Sequence, residues 1–265
     1  MVAYKPKSDL LKSLILQFNS LYPIIIVNNT EEKLENFFYK FENVKIIDSK
    51  NNLGNGAGIN KCLDHCNTNL ALYLDIDVKF SNESLNKLLE YSNKIKDFGV
   101  LVPNGENRNT ENDIVKKWNM EGSVMLINKK KINNKIRFDE NFFLYFEEMD
   151  FFYNCLKSNI DVFFLSKVNF IHNKASSINE ENMFYSEKIH LLRQWHYVWS
   201  YFYFYKKNFT FFLALKKILP LFLKDFVMLL FNIIKLNSKL TKIRYFRMNG
   251  FLNSFLGLKS SKRLD

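Results

Sequence analysis

Five largely apolar residues, Leu70 to Leu74, run straight into Asp75-Ile76-Asp77, and that junction constrains this chain more than any other stretch. An apolar run of this length reads as a buried strand. Two carboxylates one residue apart at its end are costly to bury without a partner. A divalent cation held by oxygen ligands is the simplest such partner. Side chains alternate across an extended chain, so Asp75 and Asp77 can face one ion only if the strand ends there and the backbone turns.

The flanking sequence alternates between helical and extended patterns. Residues 6–18 place Leu10, Leu11, Leu14, Ile15 and Phe18 at helical spacing, with Ser8 or Asp9 as the expected cap. Residues 23–27 form a β-branched strand ending at Asn28, residues 31–41 an amphipathic helix, and residues 44–47 a second strand. A polar loop through Asn52, Gly54 and Gly58 leads into a helix over 59–66. Beyond the acid pair the pattern predicts a helix over 82–95, strands over 99–103 and 122–127, and a polar loop over 104–117. Strands over 162–165 and 168–171 follow, the second ending at His172. Such alternation predicts an α/β fold with a mostly parallel sheet flanked by helices. Ligands bind such sheets outside the carboxyl ends of the strands, where Asn28, the Gly54 to Gly58 loop and Asp75/Asp77 fall.

Other chemistry-bearing residues also have plainer roles open to them. A glycine loop ahead of a helix can cradle phosphate through its N–H groups, or simply turn the chain. Cys62, His65 and Cys66 are metal-ligand types on one helix, but core cysteines beside a surface histidine explain them better. The aromatic run from Phe138 carries Glu147, Glu148 and Asp150 into a helix. Acids in a first turn suit the helix dipole; the sharper reading is a general base tuned by apolar neighbours. A lone histidine is more often structural than a ligand, yet His172 follows a strand as the two aspartates do.

Charge divides the chain. The net charge is +11, and residues 186–265 hold 15 Lys/Arg against three acids, leaving 23 basic and 24 acidic residues in 1–185. A basic, Phe- and Leu-rich tail seeks an anionic membrane surface. A nucleic-acid partner is not expected, because no base-reading motif accompanies the charge. Lysines 216, 217 and 224 interrupt the apolar stretch 209–236, so no run reaches the ~20 residues of a spanning helix. On one continuous helical wheel Lys206, Lys217, Lys224, Lys235 and Lys242 align as a stripe, the pattern of an in-plane interfacial helix. Packing of the tail on the body is the alternative. Three cysteines and no leader-like start point to a reducing cytosol.

The ordered set of these residues resembles family 2 glycosyltransferases of the GT-A fold, within them the bacterial rhamnosyltransferase-like branch. The resemblance rests on Val2-Ala3-Tyr4-Lys5-Pro6, Ile24 to Thr30, Asn52-Leu53-Gly54 with Gly58 and Asn60, and Asp75-Ile76-Asp77 as the DXD motif. Gly122-Ser123, Phe138 to Asp150, and Phe170-Ile171-His172 with Ser176-Ser177 continue it, to about residue 195. It implies a GT-A catalytic domain over 1–185 and an amphipathic helical region over 186–265. It implies a nucleotide-sugar donor contacted by Asp75, Ala3, Asn28, Asn52 and Gly54, and Mg²⁺ or Mn²⁺ held by Asp77 with Asp75 and His172. Glu148 becomes the catalytic base, with Glu147 and Asp150 beside it, in an inverting displacement onto a glycan or polyprenyl-linked acceptor. The expected place is the cytoplasmic face of the bacterial plasma membrane. Asn28 and Ala3 depart from the branch's Asp and Thr, Glu148 from its Asp, and the loop after His172 lacks its glycine. A non-catalytic GT-A-like docking protein is the alternative that the first two departures favour.

Overall fold

The computed structural model describes residues 1–105, 111–132, 135–174, 176–178 and 183–263. Its strands in chain order are β1 (Val2–Ala3), β2 (Ile24–Asn28), β3 (Val44–Asp48), β4 (Leu70–Leu74) and β5 (Val78–Lys79). Then come β6 (Val100–Asn104), β7 (Ile114–Lys116), β8 (Val124–Asn128), β9 (Val162–Asn169) and β10 (Ile171–His172). The helices are α1 (Ser8–Phe18), α2 (Asn55–Asp64), α3 (Asn82–Ile95), α4 (Lys129–Ile132) and α5 (Glu147–Lys157). Three long ones close the chain: α6 (Met183–Asn208), α7 (Phe211–Ile234) and α8 (Ser238–Phe255). The chain packs as two compact units, Met1–Phe138 with Phe151–Asn179, and Asp139–Asp150 with Glu180–Asp265.

The first unit is α/β. Strands β1, β2 and β3 form a parallel sheet in that order. A second sheet runs β4-β8-β6-β9-β7, parallel between β6 and β9 and antiparallel elsewhere. The central strands β6 and β8 are buried almost throughout, as strands covered on both faces must be. Leu11, Leu14, Ile15 and Phe18 of α1 turn inward and join Ile26, Leu74, Ile76, Val78, Leu101 and Leu126 in one core.

Several local expectations need correction. The helix α1 is capped by Lys7 without a side-chain bond, and its start is instead tied down by Lys7 N donating to Ser177 O at 2.9 Å. In place of a helix over 31–41 there is only a 3-10 turn at Asn36–Lys40. Leu34 and Phe38 still turn inward, while Phe37 stacks edge-on against Phe38 and Phe41, so so short an apolar set is buried without several helical turns. Part of the expected loop over 104–117 is strand β7, which pairs with β9; residues 106–110 of that loop lie outside the described residues. Helix α2 begins at Asn55, so Gly56 and Gly58 sit inside it. A Cβ on Gly58 would stand 2.7 Å from Val2 Cγ1, so this glycine serves the close approach of α2 to β1. Gly54, with φ of 89°, is the residue that turns the chain into the helix.

The second unit is helical. Thr210 Oγ1 accepts from Leu213 N at 3.1 Å and Asn237 Oδ1 from Leu240 N at 3.1 Å. These caps divide the tail into three helices, which breaks the single wheel on which the five lysines aligned. Val198, Phe202, Ala214, Ile218 and Phe251 form its core. A Cβ on Gly250 would lie 2.4 Å from Trp195 O, so this glycine lets α8 cross α6 closely. Asp225, 3% exposed, is held by Arg244 and Arg247 at 2.7 Å each.

Residues 139–150, read from sequence with the first domain, pack within the helical unit. Phe146 lies against Tyr197, Tyr201 and Phe204, and Phe142 against Tyr203. Asp139 Oδ2 accepts from Tyr203 at 3.0 Å and Lys207 at 2.7 Å, and Ser200 donates to Leu144 O at 2.9 Å. The aromatic run and the aromatic face of α6 were thus each other's missing partners.

His196 is buried in this unit, with Nδ1 2.9 Å from Ser260 Oγ and Nε2 3.0 Å from Lys262 O. Burial, with the Arg263 charge nearby, pulls its pKa down to about 4, against the Lys262 carbonyl that favours the proton. The unfolded chain therefore takes up the proton first, so the stability of the neutral ring is complete above about pH 6.5 and is lost as pH falls toward 4. The total is roughly 3 kcal/mol. Thermal melts of wild type should drop more steeply across this window than those of His196→Gln; parallel profiles would refute the assignment.

Candidate active site

The strand β4 ends where the acids begin. Asp75 N still donates to Ser123 O at 2.9 Å, beside the Leu74–Val124 pair of the β4–β8 ladder. The chain then turns, with Val78 N donating to Asp75 O at 3.3 Å, and enters β5. This is the turn that two alternating carboxylates require in order to converge. Strand β5 pairs antiparallel with β10, setting His172 opposite Val78, and Asn173 N donates to Asp77 O at 2.9 Å.

That register brings His172 Nε2 to 3.2 Å from Asp77 Oδ1. Asp77 Oδ2 accepts from Ser176 N at 3.1 Å, and Tyr73 OH donates to Asp75 Oδ1 at 2.5 Å. One ligand atom from each of Asp75, Asp77 and His172 lies within 4.8 Å of the others. No comparable group forms around Cys62, His65 and Cys66 among the described residues.

The electrostatics are those of an acid-rich pocket. Burial pushes Asp75 up to about 6; the Asp77 charge adds to this and the Tyr73 hydroxyl opposes it. Burial disfavours the His172 cation, but bonds to Asp77 and Glu121, with the Asp75 charge, outweigh it and raise the ring to about 10. Glu121 is a residue that the sequence reading missed. Its carboxylate contacts His172 Nδ1, accepts from Ser123 Oγ at 2.9 Å and pairs with Lys174 at 3.0 Å. Burial opposes its ionisation, yet His172, Lys174 and Ser123 hold it at about 2. Its one signal in the sequence is its place directly before Gly122-Ser123.

The residues expected near the nucleotide also converge. Ala3 pairs with Asn28 across β1 and β2. Asn29 Nδ2 donates to Gly54 O at 3.0 Å, and Gly54 N to Asn52 Oδ1 at 3.1 Å. Asn28 is fully buried and spends its amide on Asp48 Oδ1 at 2.9 Å and Glu32 O at 2.8 Å. The carboxylate next to this position is therefore Asp48, at the end of β3.

The third set, Glu147, Glu148 and Asp150, opens α5, and these three residues belong to the helical unit. Tyr145 and Phe146 before it both take left-handed backbone, φ 69° and 70°, a costly state for bulky residues that persists only when the surroundings impose it. Here the rings of α6 impose it: Tyr197 packs on both, and Tyr201 and Phe204 on Phe146. The three acids differ in burial. Asp150 is fully buried and bonded to Lys207 at 2.7 Å and Asn208 at 2.6 Å, and Glu147 is buried as well. Glu148 alone of the three keeps part of its side chain in solvent.

Solved structures share this architecture. The mannosyltransferase PcManGT from Pyrobaculum calidifontis, in complex with GDP-Man and Mn²⁺, matches 97% of this chain and 86% of its own with a TM-score of 0.56 and 8% identity. GalNAc-T7 with UDP, GalNAc and Mn²⁺ matches 83% of this chain and 56% of its own with a TM-score of 0.53 and 11% identity. At such identities the likeness is one of fold, and that fold is GT-A. The profile described as Glycosyl transferase family 2 matches residues 8–158, more than half of the chain, and the chain belongs to that family. Among curated proteins, the low-salt glycan biosynthesis hexosyltransferase Agl10 of Haloferax volcanii is 22% identical over 204 residues, 66% of this chain and 66% of the relative. The chain thus spans just under two thirds of that relative's length.

Proposed function

We propose that the protein transfers a hexose from a nucleotide-sugar donor to a hydroxyl of a glycan or lipid-linked acceptor during glycan assembly. The observation that carries this reading is the convergence of Asp75, Asp77 and His172 at the end of β4. Two carboxylates and an imidazole are donors suited to Mg²⁺ or Mn²⁺. The upward push on Asp75 from burial and from Asp77 is the cost that a cation there would remove. Asp75, Asp77 and His172 would hold such an ion, which would supply positive charge beside the diphosphate. The hexosyltransferase named above and the mannosyltransferase holding GDP-Man and Mn²⁺ support the same reading.

The chain's own groups divide the remaining work. We assign the nucleotide to the strand ends at Ala3 and Asn28 and the loop at Asn52 and Gly54, and Glu121 is bonded to His172. Glu148 takes the proton of the acceptor hydroxyl. That oxygen then bonds to the anomeric carbon as the bond to the diphosphate breaks, inverting the centre. Rhamnose as the sugar follows from the branch resemblance alone, so the donor panel must be broad.

The test is calorimetric titration of UDP-, GDP- and dTDP-sugars, with Mn²⁺ and with EDTA, followed by turnover with the donor that binds. Metal-dependent binding of one nucleotide class is the expected result. Binding of none of them by the full chain would refute the proposal.

A further inference from the structure

We propose that the solvent-facing side of α7 docks in the plane of an anionic lipid bilayer. This helix has 24 residues, a length of about 36 Å. Its buried residues, Ala214, Ile218, Asp225 and Asn232, recur along one side and face the helical unit. The opposite side is apolar and open: Phe212, Leu219, Leu223, Val227, Leu230 and Ile234 are exposed, the first and last of them about four-fifths, at 81% and 80%. Leu236, in the turn to α8, is 90% exposed. A contiguous apolar strip of this length is far beyond the scattered residues of an ordinary surface and marks an interaction site.

The charges beside the strip select the occupant. Lys216 rises from within it, and Lys217 and Lys224, one heptad apart, run along one edge; all three are exposed. Lys235 and Lys239 follow at the turn. Between residues 211 and 240 the sequence holds a single acid, Asp225. That acid is buried and neutralised by Arg244 and Arg247. The strip therefore presents only positive charge with its apolar groups. A second copy of the same face would set lysine against lysine, which disfavours self-association. An anionic headgroup layer over an acyl interior matches both components, and lysine stems can reach the headgroups while leucines enter beneath them. No described helix is long and apolar enough to cross a membrane, so docking is in-plane. The proposal is independent of the transfer reaction, because vesicle binding is measured without donor or acceptor.

The experiment uses the full chain and sucrose-loaded vesicles of phosphatidylcholine, alone or mixed with phosphatidylglycerol. Sedimentation with the anionic vesicles is expected, weakening at high salt. Lys217→Glu with Lys224→Glu should reduce partitioning roughly 30-fold or more, at about tenfold for every 1.4 kcal/mol and ~1 kcal/mol per basic residue. Leu223→Asn with Leu230→Asn should abolish sedimentation. Equal binding to neutral vesicles, or binding to neither, would overturn the proposal. So would a dimer in solution that the leucine variant dissolves and the charge variant leaves intact. Should either variant melt early, the lipid and salt dependence of the wild type decides alone.

Discussion

Asp77→Asn is expected to remove metal-dependent donor binding altogether. The carboxylate of Asp77 is 5% exposed and joined to His172 and to the Ser176 amide, so its direction is fixed before any ion arrives. Partners one step outside a metal's ligand set already contribute about 10–100-fold to affinity; loss of a charged ligand should exceed that. Asn keeps the shape and one oxygen, so the bond from Ser176 N survives and the melting temperature should stay close to wild type. Calorimetry with Mn²⁺ and the preferred nucleotide sugar measures the difference. An Asn variant that binds as wild type does, with the same dependence on Mn²⁺, would remove Asp77 from the ligand set.

The second large effect concerns Glu148. Glu148→Gln is expected to slow turnover by about 10²–10⁴-fold, the usual share of a general base, with donor affinity unchanged. Asp150 is committed to Lys207 and Asn208, and Glu147 is enclosed, so only Glu148 can meet an acceptor from solvent. Asp150→Asn should instead lower the melting temperature, since it removes the charge by which a fully buried carboxylate holds Lys207. Single-turnover rates set beside thermal melts separate the two roles. A Glu148→Gln enzyme with wild-type kcat would send the search for the base elsewhere.

The turn at Asp75 and Asp77 was legible because its logic is local. An apolar strand running into two acids had to end and turn, and it does so between Leu74 and Val78. His172 was readable as a strand-end histidine, although its convergence on Asp77 depends on the β5–β10 register, which no periodicity reports. Glu121 was not legible: its partner His172 lies 51 positions away. The division of the tail into three helices turned on two cap residues, Thr210 and Asn237, inside an otherwise continuous wheel. The assignment of residues 139–150 to the helical unit was hidden for a different reason. Their aromatic pattern states that they need a partner without saying which one.

The C-terminal helices cannot be removed without disturbing the start of α5. The left-handed Tyr145-Phe146 pair that launches α5 is braced by rings belonging to α6. A chain shortened after residue 185 would lose those rings, and the pair would relax toward ordinary backbone, carrying the acids with it. The C-terminal helices are thus scaffolding rather than a detachable tether. Exchanging them between relatives would exchange the bracing of Tyr145 and Phe146, and with it the direction in which Glu147, Glu148 and Asp150 are held.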